Sequence, residues 1–376
     1  MSIHKMTKPD GSVRWQVRWR TADGTQRKRS FKTKRDAAQH EASVTTALYR
    51  GEYIDTAASR GVTVDQLQER WHAQISGHLK ATTLVSREWT YQTHIQPKWG
   101  EVPINRVQPS DLKAWVATLR KDGVSPATLA KVVLVLRQIL EVGVEDKQLA
   151  SNPAAGLKAP APDHVDKGYL THQQLDRLAD EVGEQHTTLV LFLGYCGLRW
   201  GEAAALRLAD YDALRARVNV SRSVAEVKGK QVFSNPKTGE RRSVPVPRFL
   251  VERLAGECEG KTRDQLIFGG GDVPVRISTW RPRVFNKAVA RCREVDPEFP
   301  ARLTPHSLRH TAASLAVQAG ASVLVVSRLL GHSRPSVTLD VYAGLWDQDL
   351  QAVAGALDAE RSRALAAPQT ELRRSP

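Results

Sequence analysis

The sequence predicts a multidomain α+β protein, mostly helical with small β-sheets, and three observations carry that reading. The chain has 376 residues, enough for more than one hydrophobic core. Its apolar positions keep a helical period over long stretches, but they alternate like strands at Val13–Arg20 and again between Asp210 and Pro247. Two stretches, Gly51 to Gly61 and Ala159-Pro160-Ala161-Pro162, have linker composition. The expected divisions are therefore residues 1–58, 62–158 and 165–361, with a flexible tail over 362–376.

In the first division Val13, Trp15, Val17 and Trp19 alternate with Arg14, Gln16, Arg18 and Arg20, the period of a half-buried strand. Asp23-Gly24 is a hairpin signal, Thr25–Phe31 is the returning strand, and Lys34 to Arg50 reads as a helix. The arginines are expected on the face opposite the tryptophans. A two-stranded ribbon of this kind fits the major groove of DNA, which makes Arg14, Arg18, Arg20, Arg27, Lys28 and Arg29 candidate contacts. An edge hairpin with ordinary solvent charges has the same description, and both readings stand.

The second division is helical. Ser110 is the expected cap of a helix bearing Leu112, Trp115, Val116 and Leu119, and Ser125-Pro126 opens another with Leu129, Val132, Val133, Leu136, Ile139 and Leu140. These positions are core, and no catalytic cluster accompanies them. The third division opens with a capping box, Thr171 to Gln174, before Leu175, Leu178 and Val182. An apolar run, Leu189–Leu198, follows. Val218/Val220, Val232 and Val244/Val246 then read as short strands.

Fifty-five Lys and Arg against forty Asp and Glu leave a net charge of +15, and residues 1–60 alone carry +7 of it. A chain this basic points to a polyanionic partner, of which nucleic acid is the commonest. Cys196, Cys258 and Cys292 are widely spaced and form neither a zinc pattern nor a disulfide framework. The polar N-terminus is unlike a signal peptide, and the apolar runs are too short to span a bilayer. A cytoplasmic protein without a membrane partner is expected.

The candidate chemistry lies towards the C-terminus. In Thr304-Pro305-His306-Ser307-Leu308-Arg309-His310-Thr311, Thr304 is an expected cap with Pro305 in the first turn. His306 and Arg309 then share a face near a helix N-terminus, where an anion is favoured and an Arg fork holds two phosphate oxygens. A zinc reading of His306 and His310 is weak, because position 307 is Ser where a hydrolytic metal motif needs Glu. Ser322 begins a helix that Gly331 ends, with His332 in the turn that follows. Ser336 is the expected cap of a short helix carrying Leu339 and Tyr342. On spacing alone Tyr342 is as well explained as a core tyrosine.

Four separated segments resemble the signature blocks of the tyrosine recombinases, or phage integrases. They are Cys196-Gly197-Leu198-Arg199-Trp200-Gly201-Glu202, then Asn235-Pro236-Lys237-Thr238-Gly239 leading to Arg241–Pro247, then His306–Thr311, and last Leu330-Gly331-His332-Ser333 running to Thr338–Tyr342. The resemblance implies a catalytic set of Arg199, Lys237, His306, Arg309, His332 and the nucleophile Tyr342, with Lys228 and Lys230 as nearby alternatives to Lys237. It further implies the recombinase catalytic fold over 165–361, a helical SAM-like core-binding domain over 62–158, and an arm-type DNA-binding domain of three strands and a helix over 1–58. The implied activity is site-specific cleavage and rejoining of DNA through a 3′-phosphotyrosyl link, with no cofactor and no metal. Implied partners are double-stranded DNA at core-type and arm-type sites, a homo-tetramer that passes through a Holliday junction, and, as accessories, a host DNA-bending protein and an excision factor. A type IB topoisomerase and a non-enzymatic DNA-binding protein on the same fold are the competing readings.

Overall fold

A computed structural model describes residues 1–21, 24–51, 53–55, 61–161, 168–235, 241–346 and 350–366. The chain divides into two compact units, Met1–His164 and Val165–Pro376. The turn residue Asp23, part of the linker after Gly51, Pro162 and Lys237 lie outside the described residues.

The first unit holds two separate hydrophobic cores. Strands β1 (Ser2–Thr7), β2 (Val13–Arg20) and β3 (Gln26–Phe31) form an antiparallel sheet in that order. Helix α1 (Lys34–Tyr49) is capped by Thr33, whose side chain accepts from the Asp36 N–H. Val17 and Trp19 of β2 are buried with Ala37 and Val44 of α1, so the alternation in β2 does what its period predicts. The indole of Trp19 donates to the Tyr53 hydroxyl at 2.8 Å.

The other core of this unit is built by α2 (Val64–Ser76), α3 (Ala81–Thr90), a wide turn at Tyr91–Ile95, α4 (Gln96–Trp99), α5 (Pro109–Lys121) and α6 (Pro126–Glu145). Helix α6 runs through its centre, burying Leu129, Val132, Leu136, Ile139 and Leu140. Ser125 caps α6 as expected, its hydroxyl accepting from the Thr128 N–H at 3.2 Å. Ser110 does not cap α5. That helix starts two residues earlier because Pro109, with its fixed φ and no N–H, suits the first position, leaving Gln108 as the boundary residue.

In the second unit α7 (His172–Glu181) and α8 (Glu184–Cys196) pack with two later helices, Asn286–Val295 and Ser307–Gln318, around Leu175, Leu178, Leu189, Phe192, Leu193, Phe285 and Leu308. The Thr171 capping box is present in full. A short helix, α9 (Trp200–Ala203), precedes β4 (Tyr211–Asp212), β5 (Arg217–Val220), β6 (Ser223–Val227), β7 (Lys230–Ser234) and β8 (Arg242–Pro245). One sheet has the order β4-β5-β8, and β6-β7 is a separate hairpin. Then come α10 (Arg248–Cys258), β9 (Gly269–Gly270), β10 (Val273–Pro274), α11 (Ile277–Trp280) and α12 (Asn286–Val295). The chain ends in α13 (Ser307–Gln318), α14 (Val323–Leu330), α15 (Pro335–Tyr342) and α16 (Leu350–Ala366). Helix α16 carries helical structure into the first residues of the expected tail, as far as Ala366.

Among the described residues no helix is long and apolar enough to cross a membrane.

Gly201 is where α9 touches the β6–β7 hairpin. A Cβ there would lie 2.3 Å from the Val224 carbonyl oxygen and 2.7 Å from Ser223 Oγ. Gly201→Ala should force α9 off the hairpin and lower stability by roughly 1–3 kcal/mol, read as a shifted urea midpoint at unchanged slope. A midpoint equal to that of the unmodified protein would show that the contact gives way freely.

Candidate active site

Helix α8 ends at Gly197, whose φ of 67° is left-handed and whose missing side chain leaves room for Leu330 at the end of α14. Two residues on, Arg199 stands at the boundary of α9. Its backbone N–H donates to Glu202 Oε2 at 3.0 Å, and its guanidinium donates to Oε1 at 2.8 Å. Glu202 is only 1% exposed, and Arg242 of β8 donates to both of its oxygens, at 2.6 and 3.2 Å. Burial alone would raise the Glu202 carboxyl, but the hydrogen bonds and charge of Arg242, with those of Arg199, hold it at about 2. It is an anion under all ordinary conditions.

Arg309 of α13 is 3% exposed and donates to the backbone carbonyls of Gly197, at 2.6 Å, and Leu330. These carbonyls close α8 and α14, so one guanidinium meets the negative ends of two helices. Burial and the neighbouring Arg199 press its pKa down to about 9, which still leaves it charged at neutral pH.

The Gly331 N–H donates to the Arg328 carbonyl and the His332 N–H to the Ser327 carbonyl. This paired closure of α14, with Gly331 left-handed at φ 63°, fixes where His332 leaves the helix. The His332 ring is hydrogen-bonded through Nδ1 to the Thr338 hydroxyl at 2.8 Å. Burial, then Arg309, Arg199, Arg242 and His306, push its pKa down to about 4, so it is neutral near pH 7. Ser336 does not cap α15. Pro335 takes the first position and Arg334 the boundary, by the same logic as at Pro109.

Tyr342 closes α15. Its side chain is 5% exposed, packed with Ala313, Val326 and Leu330. The hydroxyl is hydrogen-bonded to His310 Nδ1 at 2.7 Å. Burial raises its pKa to about 12 against the opposing charge of Arg309, so it is a protonated phenol. His306 precedes α13 and is exposed, its ring edge-on to His310 with centroids 5.1 Å apart. Helix α13 begins at Ser307. The Thr304 hydroxyl accepts from the Ser307 N–H at 3.3 Å, closing the turn before the helix where the sequence suggests a cap of the helix itself.

Arg199, His306, Arg309, His332 and Tyr342 are thus brought together. Lys237 lies outside the described residues. Lys228 lies in the turn of the β6–β7 hairpin and Lys230 opens β7, paired with Val227. Sequence reasoning assigned nothing to Glu202, Arg242 or His310. All three stand inside the quoted segments, but only the fold shows that they touch the predicted residues. Among the described residues, no group of three or more His, Cys, Asp or Glu is placed to hold a metal ion.

In the first unit the strand register splits the six candidate DNA contacts. Arg18 pairs with Lys28, and Trp19 with Arg27. Because side chains alternate across a sheet, Arg14, Arg18, Arg20 and Lys28 share the outer face, whereas Arg27 and Arg29 fall on the tryptophan face. Arg27 pairs there with Asp55 at 2.7 Å, and Arg29 lies 5.5 Å from the Phe31 ring centre. The expectation that all the arginines oppose the tryptophans therefore fails on β3.

Glu202→Gln should leave two guanidiniums without their shared counter-charge and cost about 3–5 kcal/mol at neutral pH. The native carboxyl titrates below its ordinary value of 4.5, so its contribution is complete above that value and fades as pH falls towards about 2. Urea unfolding from pH 7 downward should show the gap between the two proteins closing only below about pH 4.5. A gap constant through that range would contradict the ionised, shared carboxylate.

Residues 168–348 match the family model described as "Phage integrase family", and residues 64–160 match the one described as "Phage integrase central domain". The integrase of Mycobacterium phage FRAT1 is 29% identical over 296 residues, 75% of this chain and 84% of that protein. A "Tyrosine recombinase XerC-like" protein of Caldanaerobacter subterraneus subsp. tengcongensis is 24% identical over 353 residues, 83% of this chain and 86% of that one. Among solved structures, the Tn1549 transposon integrase in complex with a circular intermediate DNA has a TM-score of 0.64 at 22% identity, covering 74% of this chain and 94% of that chain. A lambda integrase tetramer bound to a Holliday junction has a TM-score of 0.61 at 15% identity, covering 88% and 96%. The structural likenesses establish the fold. With both parts of the family pattern matched in order along most of its length, the chain belongs to the phage integrase family of tyrosine recombinases.

Proposed function

We propose that this protein is a site-specific DNA recombinase, an integrase, that cleaves and rejoins DNA through a bond between Tyr342 and a 3′-phosphate. The observation that carries the reading is a buried phenol beside a fixed cluster of cations, Arg199, Arg309 and Arg242, that exceeds its one buried anion, Glu202. A phosphodiester entering the cluster meets net positive charge already in place. That is what the transition state needs as charge builds on the non-bridging oxygens.

In the reaction the Tyr342 oxygen attacks phosphorus and the bond to the 5′-oxygen breaks. Arg199 and Arg309 hold the non-bridging oxygens. The neutral His332 donates a hydrogen bond to one of them, with Thr338 fixing its ring. Lys237 protonates the departing 5′-oxygen, and His306 assists removal of the phenol proton. One phosphate ester replaces another, so rejoining is the same step reversed and needs no nucleotide.

Residues 62–158 grip the core-type site together with the catalytic unit. The outer face of the β1-β2-β3 sheet, with Arg14, Arg18, Arg20 and Lys28, reads arm-type DNA; it precedes both matched stretches and so distinguishes this chain's own reach. Strand exchange takes place in a homo-tetramer through a Holliday junction, in the cytoplasm at the nucleoid. A host DNA-bending protein and an excision factor belong to the same proposal.

Tyr342→Phe should bind core-site DNA as tightly as the unmodified protein yet form no covalent adduct on a nicked suicide substrate. An adduct that survives denaturation in that variant would remove Tyr342 from the role. Relaxation of a plasmid without any two-site recombination would favour the topoisomerase reading instead.

Arg18→Glu with Lys28→Glu should weaken arm-type binding and lower its salt dependence by about one unit of log–log slope for each phosphate no longer neutralised, with core-site cleavage retained. Unchanged arm binding would move the DNA-reading surface off the outer sheet face.

A further inference from the structure

We infer that His310 is the direct acceptor of the Tyr342 proton, with His306 behind it on the solvent side. The inference rests on the recombinase reading and adds to it a residue that the family resemblance left without a role. Its basis is geometric. The His310 Nδ1 atom is 2.7 Å from the Tyr342 oxygen, a distance over which a proton moves without rearrangement. Tyr342 is packed among Ala313, Val326 and Leu330, so bulk water does not serve as its base.

Helix α13 makes the arrangement rigid. Arg309 and His310 are consecutive and so point about 100° apart around the helix, one to the carbonyls of Gly197 and Leu330, the other to the nucleophile. His306, one turn earlier, lies edge-on to His310 and is exposed, giving the imidazole a neighbour that meets solvent. The titratable and charged groups beside the Tyr342–His310 pair are His306, edge-on to His310, and Arg309, whose charge acts on Tyr342. A phenol whose pKa is raised to about 12 gives up its proton only to a base that is already aligned.

Neutral His310 carries its proton on Nε2 and takes the phenol proton on Nδ1. The phenolate oxygen bonds to phosphorus, the bond to the 5′-oxygen breaks, and that oxygen takes a proton from Lys237. On rejoining, the 5′-hydroxyl returns its proton to Lys237 as its oxygen displaces the tyrosine oxygen, which recovers its own proton from His310.

The test uses the full chain on a nicked suicide DNA. Absence of an adduct with the unmodified protein would defeat the recombinase reading itself, separately from His310. Given that adduct, His310→Ala should form it about 10²–10⁴-fold more slowly, with DNA affinity unchanged and partial recovery in added imidazole. His310→Asn preserves a hydrogen-bonding side chain at the position but takes no proton, and should be as slow while folding normally. A substrate with sulfur in the bridging 5′ position has a leaving group that needs no proton, so it should rescue Lys237→Ala but not either His310 variant. Adduct formation at the unmodified rate in His310→Asn, or rescue of His310→Ala by the sulfur substrate, would overturn the assignment.

Discussion

The buried carboxylate of Glu202 is the interaction on which the site depends. Two guanidiniums, from Arg199 on α9 and Arg242 on β8, converge on its two oxygens in a place from which water is excluded. Without the anion these cations would repel each other, and each would be better solvated elsewhere. With it, two segments distant in sequence are drawn together and the excess positive charge is left facing the space a phosphate would enter. Arg242 also donates to the Leu329 carbonyl, so the same pair ties the sheet to the end of α14.

The remaining precision comes from the backbone. Arg309 spans the carbonyl ends of α8 and α14, and glycines at both helix ends let the chains come close enough for one side chain to reach both. The closure of α14 sets His332, and a proline-led helix sets Tyr342. A reacting group misplaced by an ångström loses much of its effect, so a site framed by helix termini has a mechanical advantage over one framed by flexible side chains. The desolvation of Arg309 is offset by its two carbonyl partners and by the nearby Glu202 and Tyr342.

Much of this was legible in the sequence. Alternation at Val13–Arg20 located β2, and the Ser125, Thr171 and Ser322 caps lie where their side-chain chemistry puts them. Ser110 and Ser336 misled because each follows a proline, and proline's fixed φ outweighs a serine hydroxyl in choosing the first helical residue. The face of Arg27 and Arg29 depends on the pairing register of β3, which a run of consecutive basic residues does not encode. Arg309 stood out as a phosphate candidate from its place near a helix N-terminus, whereas Arg199, His332 and Tyr342 took their roles only from the family resemblance. Glu202, Arg242 and His310 gain meaning from hydrogen bonds that span 3 to 40 residues, and no local pattern announces such partners.

The link between α14 and α15 is short, running from Gly331 to Arg334. Such a tether keeps the Tyr342 hydroxyl with the Arg309 of its own polypeptide, where His310 already holds it. Among the described residues, one chain therefore brings Tyr342 to its own Arg199, Arg309 and His332. On the proposed reaction, the order in which an assembly cuts its strands would turn on which of these centres are switched on, not on which chains share their parts.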